Sequence, residues 1–67
     1  MDDRTEALKQ IARDNVERHL GDVCDADDDP DTIREEIYVL AFDAVFDAGA
    51  SAEAARRVAE AIAQEKA

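Results

Sequence analysis

Very little in this 67-residue chain can staple it, bend it or anchor it in a bilayer. One cysteine, Cys24, cannot close an internal disulfide. That suits a reducing compartment, the other option being a bridge between two chains. One proline, Pro30, and two glycines, Gly21 and Gly49, leave few places for the backbone to turn. No apolar run approaches the ~20 residues that span a bilayer, and Met1-Asp2-Asp3-Arg4 lacks the apolar stretch of a secretory signal. A cytoplasmic location without membrane contact is the expectation. Basic residues are scarce, eight against 18 acidic, for a net charge of −10. Direct nucleic-acid binding is therefore disfavoured, because affinity there rests on Lys and Arg releasing counterions. No nucleophile–base pair and no phosphate-cradling glycine loop is present, so neither catalysis nor a cofactor is expected.

What is present is short and alanine-rich. The length allows one small domain over residues 1–67. Apolar residues are 46 % of the chain, but almost half of them are alanine. Chains this short usually need a staple, a metal or an oligomer to be firmly stable. Asp outnumbers Glu eleven to seven, and Arg outnumbers Lys six to two. This composition resembles that of proteins from salt-loving archaea, in which acidity serves solubility; a high-GC bacterial or phage origin gives part of the same bias. Otherwise a dense acidic surface suggests a basic partner.

Three helical segments are expected at about 3–20, 32–48 and 51–65, with no strand pattern and no internal repeat. In the first, Leu8, Ala12, Asn15, His19 and Val23 share a face, with Ile11, Val16 and Leu20 at its edges. His19 reads as half-buried and hydrogen-bonded. Gly21 marks the exit. An acidic loop over 22–31 follows, and Asp31 or Thr32 caps the second helix, Thr32 with Glu35 matching a capping box. Gly49 ends that helix and Ser51 caps the third, whose apolar face is Ala55, Val58, Ala59 and Ile62. Such a short break turns the two helices back on one another, giving an all-α, three-helix unit.

Two stretches resemble known motifs. Asp25-x-Asp27-x-Asp29-x-Asp31, with Glu36 at the twelfth position, resembles the ligand spacing of an EF-hand calcium loop. Pro30 stands where that loop needs glycine, Thr32 where it has an apolar residue, and no second loop exists. A solvated acidic loop is the better reading, and no metal site is assigned. His19 and Cys24 alone do not make a zinc site either. The run from Gly49 to Val58 resembles the turn and second helix of a helix-turn-helix DNA-binding motif. Ala44, Ala48, Gly49, Ala50, Ala55 and Val58 fall where that motif takes small or apolar residues. The resemblance covers residues 43–58 and implies Ser51, Arg56 and Arg57 as DNA contacts. Val45 departs from it, and a basic footprint is missing.

The most informative segment is the central helix. Ile33, Ile37, Leu40, Ala41, Ala44, Val45 and Ala48 form one wide apolar face, and Tyr38, Val39, Phe42 and Phe46 extend it around the far side. Every aromatic residue of the chain lies on this edge. Two flanking helices would be taken up by the first face, leaving the aromatic edge partly open. The expectation is a non-enzymatic protein that acts through protein–protein contacts. It would be a homodimer joined through Tyr38, Val39, Phe42 and Phe46, with Asp25, Asp27, Asp28, Asp29 and Asp31 offering an acidic surface to a basic protein partner. The alternatives are a small helix-turn-helix regulator and a structural subunit whose acidity reflects a saline cytoplasm.

Overall fold

The computed structural model describes residues 3–23 and 27–66, and all regular structure among them is helical. Helix α1 spans Asp3–Val23, α2 Pro30–Asp47 and α3 Ala52–Lys66. α2 packs most extensively on α3, next on α1, and each pair of helices is in contact. The bundle measures 36 × 18 × 17 Å.

Local chemistry sets the boundaries. α2 starts two residues earlier than the capping pattern suggests. Asp29 is the N-cap, its carboxylate accepting from the Asp31 N–H, and Pro30 occupies the first turn. Proline costs nothing there because that N–H has no helical partner in any case. Thr32 is thereby carried inside the helix and caps nothing. α1 runs on through Gly21 to Val23. A single glycine lowers helix stability by only about 1 kcal/mol relative to alanine, and no proline stands there to end the helix.

The α2–α3 connection closes as a Schellman motif. Ala48 caps α2 and Gly49 follows at φ 101°. The Gly49 N–H donates to the Phe46 carbonyl at 3.1 Å and the Ala50 N–H to the Val45 carbonyl at 3.3 Å. Ala50 is buried beside Val45, supplying the apolar contact of the motif. Ser51 then caps α3, its Oγ accepting from the Ala54 N–H at 3.2 Å. The two helices are thus locked into a hairpin by one positive-φ glycine and one hydroxyl.

The core is narrow. Ile37, Ile62, Val16 and Val45 are its largest fully buried side chains, and alanines fill most of the remainder: Ala12, Ala41, Ala55 and Ala59 are wholly enclosed. Small side chains let α3 approach α2 closely, and the expected α3 face of Ala55, Val58, Ala59 and Ile62 is the buried one. On α1 the covered stripe runs Leu8–Ala12–Val16–Leu20, rotated from the expected centre. His19 and Val23 are exposed, so the half-buried histidine is corrected to a surface one.

Ion pairs tie the end of α3 back to the middle of α1. Arg13 grips Glu65 with two nitrogens, Nε to Oε1 at 2.9 Å and Nη2 to Oε2 at 3.0 Å, and Lys66 Nζ reaches Glu17 Oε1 at 3.1 Å. The hydrogen bond from Arg13 holds the Glu65 carboxyl below its ordinary range, against a smaller desolvation effect in the opposite direction. The same bond raises the Arg13 pKa. A carboxyl depressed in the folded state stabilises at pH above its unfolded value and loses that contribution as pH falls through its folded value. Glu65→Gln is therefore expected to lower the urea midpoint at neutral pH, with the two proteins converging as pH falls through the folded-state value of Glu65. A difference that persists in acid would mean the side chain acts through packing.

Candidate interaction surface

Seen from the α2 axis, the aromatic edge divides in two. Tyr38 and Phe42 are half-buried and pack against the core, whereas Val39 is 44 % and Phe46 53 % exposed. The three rings form a ladder: Tyr38 and Phe42 have centroids 6.2 Å apart at 20°, Phe42 and Phe46 5.8 Å apart at 12°. Each step is an i,i+4 contact, so the helix itself fixes ring orientation. Val39, Phe42 and Phe46 follow the 3-4 spacing by which one helix presents knobs to another.

α2 and α3 leave a groove of ≈ 630 Å³ between their opposite ends, lined by Arg34, Glu35 and Tyr38 on one side and Glu60 and Gln64 on the other. It is open and carries charges of both signs. α1 and α2 leave another, in two adjoining hollows of ≈ 370 and ≈ 270 Å³ that share Asn15, Ala44 and Asp47. Asn15 is placed by its own hydrogen bond, Nδ2 donating to the Leu40 carbonyl at 2.8 Å. This side-chain contact bridges α1 and α2, a role that helical periodicity alone does not reveal.

The acidic residues do not gather into one site. Asp25 and Cys24 lie outside the described residues. Asp27 is exposed and Asp28 half-buried in the loop, Asp29 is spent on the cap, and Asp31 lies in the first turn of α2, where its charge meets the positive end of the helix dipole. Among the described residues no three His, Cys, Asp or Glu side chains come together in a way that could hold a metal ion. Asp29 and Phe46 stand at opposite ends of α2, about 25 Å apart at 1.5 Å per residue. One short segment of a partner cannot touch both.

Of the residues implied by the helix-turn-helix resemblance, Ser51 is engaged as the α3 cap and Arg57 pairs with Glu53 at 3.0 Å. Arg56 is exposed. No described helix is long and apolar enough to cross a membrane. Comparison with protein-family models, curated proteins and solved structures returns no match.

Proposed function

We propose that this chain is a non-enzymatic protein-binding unit, a regulator or inhibitor of a basic protein, working through the outward face of α2. The observation that carries this reading is the exposure of Val39 and Phe46 on either side of Phe42. Three large apolar side chains at knob spacing, held by ring stacking, form a surface suited to a second helix. The loop acids Asp27 and Asp28 lie too far away to touch the same short segment. They act at long range, drawing a cationic partner in by their field.

Joining two copies through α2 belongs to the same reading, and its salt dependence follows from charge. Two bodies of −10 placed side by side at about 20 Å repel by about 10 kcal/mol at 0.01 M salt and about 2 kcal/mol at 0.15 M. Light scattering on a sizing column is expected to give a monomer at low ionic strength and a dimer in molar potassium chloride. Phe46→Asp should return the latter to a monomer. If Phe46→Asp and Val39→Asp leave helicity and every association unchanged, the α2 face is not a binding surface and the reading fails.

A further inference from the structure

The groove between α1 and α2 joins apolar lining to acidic side chains. Its floor is Ala44, too small to fill the space between the helices, and beside that floor lies Asn15. The α1 wall is Ile11, 41 % exposed; the α2 wall is the stripe of Asp43 and Asp47, with Phe46 on its far side, about 160° around the helix from Ala44. Along the α2 side run Asp43 and Asp47, both exposed and neither in an ion pair with another described residue. Asp14 at the α1 edge is already matched by Arg18 at 3.3 Å.

Asp43 and Asp47 are placed against their own helix. They sit four residues apart, where like charges repel across one turn. Asp47 is the last residue of α2, at the negative end of its dipole, and no basic residue stands in that last turn. Two uncompensated carboxylates beside the exposed Ile11 complement a guest that brings both an apolar side chain and positive charge.

We propose that the α1–α2 groove takes a cationic amphipathic helix from a partner protein, with an apolar side chain seated over Ala44 against Ile11, lysine or arginine set against Asp43 and Asp47, and the edge of the guest reaching Phe46 beyond that stripe. This rests on the protein-binding role of the α2 face and adds where the guest lies and what it is made of. A second copy is a poor occupant, because it would bring its own Asp43 and Asp47 to the same edge. Phe46 serves both contacts, so guest and second copy compete. Their salt responses are opposite: ion pairing with the guest weakens as salt rises, whereas self-association strengthens.

The test is fluorescence anisotropy at low ionic strength. The ligand is a labelled synthetic peptide with leucine at helical i, i+3/i+4, i+7 positions and lysine elsewhere, compared with a version carrying glutamate for lysine. One-to-one binding of the lysine peptide alone is expected. It should weaken by about tenfold or more in Phe46→Ala and in Ile11→Ala, as for central anchors. The pair Asp43→Asn/Asp47→Asn should weaken it to a similar degree and flatten its salt dependence, while Asp27→Asn/Asp28→Asn, acting only through the long-range field, should cost a small fraction of that loss. Equal losses from the two aspartate pairs would overturn the proposal, since they would mean diffuse attraction to an acidic surface. Binding lost in Val39→Ala but kept in Ile11→Ala would overturn the groove and spare the α2 face. No response to any α2 substitution, or no binding at all, would remove the groove, and the oligomer measurement would then decide the α2 face independently.

Discussion

Ile37→Ala is expected to cost about 2–5 kcal/mol, read as a fall in the urea midpoint followed by circular dichroism. Ile37 is 1 % exposed at the centre of α2 and belongs to the single core cluster, six of whose eleven buried residues are alanine. A chain of this length holds roughly 3–10 kcal/mol in total, so the loss takes anything from about a fifth of its stability to all of it. Alanine neighbours have no rotamers with which to refill the space, which puts the cost toward the upper part of the range. Val39→Ala, two residues along on the exposed side, provides the contrast, with a change within about 0.5 kcal/mol. A loss under about 1 kcal/mol at Ile37 would mean that the core is not centred where α2 places it.

The opposite error, too much volume, should also be costly. Ala59→Leu puts three extra carbons where α3 meets α2, at a position with no exposed surface. The helices must separate or the leucine must leave its preferred rotamers, for an expected 1–3 kcal/mol in the urea midpoint, roughly. Ala52→Leu, at the exposed start of α3, should stay within about 0.5 kcal/mol. If both leucines were equally tolerated, α3 would not approach α2 as closely as its alanines allow.

Much of this architecture is legible in the sequence because it is set by neighbours along the chain. Gly49 followed two residues later by Ser51 announces a helix stop and start, and both residues play those parts. The α3 periodicity identifies four of the five buried residues, Ala63 being the one it leaves out. The capping pattern sets the start of α2 too late because Asp31 and Thr32 are both able to cap; proline's tolerance in the first turn favours the residue before it, Asp29. What stayed hidden depends on how helices cross. Periodicity put Asn15, His19 and Val23 at the centre of α1's buried face, but the crossing with α2 turns His19 and Val23 outward and gives Asn15 a backbone carbonyl to bond. Arg13 and Glu65 are 52 residues apart, beyond any local pattern. The groove beside Phe46 was equally unreadable, since Ile11 and Asp47 become neighbours only once α1 lies on α2.

The alanine core has a further consequence. With Ala12, Ala41, Ala55 and Ala59 at the contact surfaces, the helices meet almost backbone to backbone, and the hollows described here open at the exterior. In the proposed role, recognition is written on this outer relief, in ridges, shallow furrows and the sign of nearby charge. A change on that relief can redirect recognition without the protein having to fold differently.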